Sequence, residues 1–234
     1  MKAPKPRHWF LLAVLTVALF PAIWFIMAYA GLPRLWSRHE HKLMADRHQL
    51  VSYTSQDIPG DPINLRIRGS KSEIICAFSQ GGWTSADDVT VGSGLKIAES
   101  VVFHRPYPQA PVSPLYVADR EEDLAFEREE GKSADKRHHV RLWRIGDEDW
   151  LAAASFDRGV GLSLFTLQIT HRIGPDVDRE RDMIGTLLLN NGGKFLGTVG
   201  SGVRGGVWHR NGGGNRYRTD GVVKVFAAGQ TCKL

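Results

Sequence analysis

The stretch that decides the fold runs from Arg137 to His171, RHHVRLWRIGDEDWLAAASFDRGVGLSLFTLQITH. Its apolar residues recur at short spacing, and polar turns interrupt them every eight to twelve positions. That pattern predicts three neighbouring antiparallel strands, over 137–145, 150–157 and 163–171. Alternation along the first strand puts His138 with Val140 and Leu142 on one face, and His139 with Arg141 and Trp143 on the other. In a simple meander His138 opens the first strand and His171 closes the third, so the two are expected at opposite edges.

Toward the N-terminus, Ile63, Leu65 and Ile67 alternate with polar residues and predict a half-buried strand. Ser70-Lys71-Ser72-Glu73 is a capping-box signature, and Ile74, Ile75, Ala77 and Phe78 follow at helical spacing until Gly81-Gly82. Ser85-Ala86-Asp87-Asp88 repeats the start signal for a second helix reaching Val102. A proline-stiffened loop, Arg105 to Pro114, leads to short strands over 115–118 and 124–126. Beyond the central stretch, 178–190 predicts a third helix with Met183, Ile184, Leu187 and Leu188 inward. The glycine-rich end predicts a hairpin around Asn211–Gly214 and a closing strand, Val222–Ala227. Strands and helices are segregated, so the class is α+β, one domain with a mainly antiparallel sheet and three helices.

A different segment precedes this domain. From Trp9 to Pro33 no residue is charged. About 21 helical residues cross the roughly 30 Å hydrocarbon core of a bilayer. Residues 9–31 are therefore read as a transmembrane helix and signal anchor, behind a basic tail over 1–8. A juxtamembrane connector over 34–50 leads into the domain, 51–234. A cleaved signal peptide ending at Ala28-Tyr29-Ala30 is the rival, but its apolar region normally spans only about 7–15 residues. Bases flank the span on both sides, and the expected orientation has the domain translocated, periplasmic on a bacterial inner membrane. Cys76 and Cys232 leave a disulfide open.

Charge narrows the partners. The net charge is +5, and residues 1–50 hold all of it, with seven bases against two acids. A balanced domain has no basic footprint for nucleic acid, so none is expected as a partner. The expected partners are the lipid bilayer through residues 9–31 and an envelope or secretion-system protein.

No motif for chemistry is complete. Gly200-Ser201-Gly202-Val203-Arg204-Gly205 has the dinucleotide spacing, but no helix can start in the glycine-rich run behind it. There is no G-x-S-x-G, H-E-x-x-H or C-x-x-C, so no cofactor or metal is expected. The candidate site residues are His138, His139, Arg141, His171, Asp176 and Asp178. His139 and Arg141 form a polar pair suited to an anion, or else His138 faces the core and His139 the solvent. His171 shares parity with apolar residues, as a core histidine would, and Asp176 or Asp178 suits a helix N-cap. His171 with both aspartates would be the metal reading.

Several stretches together resemble the LssY C-terminal domain family, described as LssY-like components of type I secretion. They are Leu35-Trp36…His39-Glu40, Asp61-Pro62-Ile63-Asn64-Leu65 and Gly82-Trp83, with Arg105-Pro106-Tyr107-Pro108…Ala110 to Tyr116. His138 to Trp143 and Thr170-His171…Pro175 to Asp178…Glu180 to Asp182 complete the set, which spans about Leu35 to Asp182. The resemblance implies a domain carried behind a membrane helix or appended to membrane modules. It assigns no reaction and no catalytic residues. The expected function is a membrane-anchored binding or assembly module of the cell envelope. The alternative is a membrane-anchored hydrolase or lipid-modifying enzyme acting on a phosphate-bearing or glycosidic envelope substrate.

Overall fold

The computed structural model describes residues 6–44, 50–86, 114–131 and 136–229. The apolar N-terminal run forms α1 (Pro6–Ile26), a π-helical stretch (Met27–Gly31) and α2 (Leu32–Met44). Together they give one helix, Trp9–Arg38, long and apolar enough to cross a membrane. Pro33 explains the wider turn. It has no N–H to give the carbonyl four residues back, Tyr29. The Leu32 N–H reaches back to the Met27 carbonyl instead, and the Tyr29 carbonyl accepts from Gln56 Nε2 at 2.9 Å.

The domain is built on a long sheet whose described strands run in the order β11-β14-β3-β9-β8-β7-β4, with β10 also on β9. These are β3 (Leu65–Arg68), β4 (Thr84–Ser85), β7 (Leu124–Glu129), β8 (Arg137–Gly146), β9 (Asp149–Leu162), β10 (Ile169–Ile173), β11 (Lys194–Gly200) and β14 (Val222–Ala227). Its described pairs are antiparallel except β14 with β3. A smaller sheet orders β2-β1-β5-β6, from β1 (Val51–Tyr53), β2 (Pro59–Pro62), β5 (Tyr116–Val117) and β6 (Arg120–Glu121). The hairpin β12 (Trp208–Arg210) and β13 (Arg216–Arg218) stands apart. The chain is thus α+β with a mainly antiparallel sheet behind a long apolar helix.

Strand alternation divides the packing. Leu65, Ile67, Val140, Leu142, Ala152 and Ala154 turn toward α3 (Lys71–Gln80) and α4 (Val177–Asn190), where Phe78, Ile184 and Leu188 complete the main core. The alternate residues Trp143 and Ala153 face the small sheet and pack on Ile63 and Leu115. Helix α3 starts on the expected capping box: Ser70 Oγ accepts from Glu73 N–H, and Glu73 accepts from Ser70 N–H. Cys76, half-buried on α3, is disulfide-bonded, and Cys232 lies outside the described residues.

Two local expectations need correction. Ser85 lies in β4 opposite Phe126 rather than starting a helix, and the rest of the expected helix to Val102 falls outside the described residues. The same is true of most of the proline-stiffened loop. Residues 163–168 form a loop instead of a strand, with Leu167 at φ +59°, and β10 begins only at Ile169. The Gly200–Gly205 run, in keeping with the sequence reading, leads from β11 through turns into β12 with no helix after it.

Candidate functional site

On the small-sheet side, charged side chains from three distant segments converge. Asp61 comes from β2. Its backbone is fixed by Ser52 Oγ, which donates to the Asp61 carbonyl at 2.9 Å and accepts from its N–H at 3.0 Å. Asp61 Oδ2 accepts from Arg141 Nη1 at 2.9 Å and from Ser155 Oγ at 3.1 Å, and stands 3.4 Å from His139 Nε2. Asp157 takes the other side of the same ring, 3.4 Å from His139 Nδ1, and accepts from Arg137 Nε at 3.2 Å. Arg137 Nη1 donates onward to Glu127 at 2.6 Å.

The register of the sheet dictates this convergence. Arg137 pairs with Asp157 and His139 with Ser155 across β8 and β9, while Ile173 meets Asp157 from β10. Odd-numbered residues of β8 and β9 therefore form one file of charge. All of it is buried: Arg137 is 1% exposed, Asp157 2%, His139 3% and Asp61 5%. Above it lies a cavity of about 120 Å³ between the β1–β2 turn, the 163–168 loop and the tip of the β12–β13 hairpin. Thr54, Thr166, Gln168 and Asn215 contribute polar groups to its wall, and His171 reaches it from β10.

Burial and charge set the protonation. Burial pushes Asp61 up, but the His139 hydrogen bond and the Arg141 charge outweigh it and hold the carboxyl below its usual range. Asp157 is held well below that range: burial opposes, and the charges of His139 and His171 prevail. Burial would lower His139, yet the carboxylates at its two nitrogens raise it. His171 is lowered, first by burial and then by the cations Arg137, His139 and Arg141, despite Asp157. The buried Nε2 of His171 has no hydrogen-bond partner among the described residues.

The six candidate residues divide. His139, Arg141 and His171 meet at the cavity. His138 does not: its Nδ1 lies 2.6 Å from Glu180 on the helical face, beside Phe156. Asp176 caps α4 by accepting from Arg179 N–H at 3.1 Å. Asp178 accepts from Thr219 Oγ1 at 2.8 Å and from Asp220 N–H at 2.6 Å, holding the loop after β13. His139 is buried rather than solvated, because the small sheet and its turn cover that face. No group of three or more His, Cys, Asp or Glu among the described residues is arranged around a metal position.

Asp61, Glu127, Arg137 and Asp157 were not among the candidates. A signal exists for Asp157: it shares parity with Ala153 and Ser155 in a run of small buried residues, where a charge needs a partner.

Ser155 Oγ lies 2.8 Å from His139 Nε2, and the other ring nitrogen faces Asp157, which is the order of a serine–histidine–aspartate relay. Ser155 is 1% exposed, however, and does not reach the cavity wall, so no substrate carbon can approach its oxygen. The Thr54 and Ser163 hydroxyls accept from backbone N–H groups of their own loops. What the arrangement offers a ligand is a fixed polar floor and the imidazole of His171 in the wall.

Residues 45–223 match the family LssY C-terminus. The chain belongs to this family. The match runs further toward the C-terminus than the motifs that suggested it, and takes in the hairpin at the cavity rim as well as Asp61, His139, Asp157 and His171. No curated protein and no solved structure matches the chain. The LssY C-terminus match therefore covers the whole cavity, and what the cavity does has to be argued from its own geometry.

Proposed function

We propose that this LssY C-terminus protein is a cell-envelope binding or assembly module. It is held in a bacterial inner membrane by residues 9–31 and linked to secretion. Its cavity receives a small hydrogen-bonding or anionic group and does not turn it over. The carrying observation is the His171 Nε2, buried with no hydrogen-bond partner among the described residues, on a residue that lines a cavity floored by the Asp61–Arg141 and Asp157–Arg137 pairs. An unsatisfied buried nitrogen costs about 1–3 kcal/mol, which an entering donor or anion-bound water can recover. Placement of the domain in the periplasm is supported by the disulfide at Cys76, since such bonds persist in oxidising compartments.

Imidazole nitrogen NMR of the full chain in detergent micelles, titrated with inorganic phosphate, tests the cavity. A saturable shift at His171 supports binding. A His171 signal that never moves refutes it. Fusions of alkaline phosphatase and of a fluorescent protein to the C-terminus test the placement. Active phosphatase with a dark fluorophore is the expected pattern, and the reverse places the domain in the cytoplasm.

A further inference from the structure

The long helix and the cavity rim are joined. Gln56 Nε2 donates to the Tyr29 carbonyl, Gln168 Nε2 donates to Gln56 Oε1 at 3.1 Å, and Trp36 stacks on Phe165 with centroids 3.8 Å apart. Trp36 lies five residues beyond Gly31, about 7.5 Å along the helix axis. A span ending near Gly31 therefore holds the 163–168 loop at the depth of lipid headgroups.

The surface carried there is of mixed character. Leu164 is 67% exposed and Leu167 40%, on either side of Phe165. Leu167 sits at φ +59°, a costly conformation for a bulky side chain, and the cost is borne while that side chain faces outward. Leu164 is continuous with a hollow formed by Arg158, Leu162, Arg172, Trp208 and Arg216, with no carboxylate in its wall. Trp208 is half exposed, with the Arg216 guanidinium 4.8 Å and the Arg218 guanidinium 5.9 Å from its ring centre. Strand parity separates this surface from the cavity. Asp157 and His171 turn inward, while Arg158 and Arg172 on the same strands turn outward.

We infer that this face seats the domain on the bilayer that holds the helix. Leu162, Leu164, Leu167 and Trp208 enter the interface, and Arg172, Arg216 and Arg218 grip the phosphates of anionic phospholipids. Tryptophan favours that depth, guanidinium forks fit phosphate oxygens, and the exposed leucines lose their contact with water. The seating rests on the membrane-spanning reading of residues 9–31, and it puts the cavity mouth within reach of headgroups.

The test uses the full chain in nanodiscs, carrying a nitroxide at Leu164→Cys. Val17→Cys in the helix and Asp147→Cys on the exposed β8–β9 turn serve as references. Discs contain phosphatidylcholine alone or with an equal part of phosphatidylglycerol. In the anionic discs the preference for collision with oxygen over a water-soluble nickel chelate is expected to be about threefold higher at Leu164 than at Asp147. It should fall by roughly half in phosphatidylcholine discs, at molar salt, or in an Arg172→Gln/Arg216→Gln/Arg218→Gln variant. A water-like Leu164 beside a lipid-like Val17 overturns the seating alone, whereas a water-like Val17 overturns the anchor with it. Dipolar broadening at Leu164 assigns the face to a second copy. A lipid preference indifferent to the arginines and to lipid charge also overturns the inference.

Discussion

Arg141 Nη1 donates to Asp61 Oδ2 at 2.9 Å across 80 positions of sequence, and each side chain is 7% exposed. Neither charge has water to fall back on, so removing one takes from the other its nearest counter-charge. Asp61→Asn is expected to cost about 3–5 kcal/mol in urea unfolding of the domain. Asp61→Asn combined with Arg141→Met should lose less than Asp61→Asn alone, because the double variant buries no guanidinium that has lost its nearest carboxylate. Equal losses in both would mean that the pair is not the source of the effect.

That pair also marks the limit of what the sequence discloses. The apolar helix and the capping box at Ser70 rest on local spacing and local hydrogen bonds, and the strand Val222–Ala227 is legible from its alternation although its ladders run to distant strands. The site is not so legible. Parity alone pairs His139 with Arg141, but Asp61 arrives from another sheet, and its buried place follows from a turn held by Ser52. A three-strand meander was expected to keep the histidines apart. The order β8-β9-β10 is present, and His138 does point away. What periodicity could not disclose is that β9 continues to Leu162 and β10 folds back along it with a bulge. Side chains from both neighbours then lean over β9 to the Asp157 carboxylate.

Glu127 should give the domain an unusual pH response. Burial pushes its carboxyl up to about 8, against the opposing charges of Arg137 and His139. The folded chain then keeps a proton that the unfolded chain releases near 4.5, so stability falls as pH rises between those two values. Glu127→Gln, which has no proton to lose, should flatten that slope in thermal unfolding from pH 5 to 8. Asp61 and Asp157 act at the acid end. Their folded values lie below the ordinary 3.8, so the stability they give is present above it and is lost as pH falls through the folded values. An unfolding curve independent of pH in both windows would contradict these assignments.

Asp176 belongs to α4 and not to the cavity. Asp176→Ala removes an N-cap and should cost about 1 kcal/mol. The His171 imidazole resonances should stay where they are, because the cap bond to Arg179 N–H lies outside the cavity wall. A shifted His171 signal in this variant would show that the helix start communicates with the site.

Gly212 seals the hairpin tip against the β1–β2 turn. Its N–H donates to the Pro59 carbonyl at 2.6 Å, and a Cβ built there would lie 1.9 Å from Ile58 Cγ2 and 2.7 Å from the Pro59 oxygen. The backbone oxygen cannot rotate away, so Gly212→Ala must part the two loops. The expected cost is about 1–3 kcal/mol, the usual range for overpacking. Gly200→Ala is the comparison: its position has nothing within 4 Å, so no steric penalty is expected. Hydrogen exchange should show the difference locally. In Gly212→Ala the amides of Gly212 and Asn211 lose protection, since they bond to the Pro59 and Asn215 carbonyls at that junction. The β8–β9 amides, held by their own ladder, keep theirs. If the tip amides of Gly212→Ala exchange as slowly as those of the parent chain, the two loops do not depend on glycine for their contact and the rim of the cavity is not sealed there.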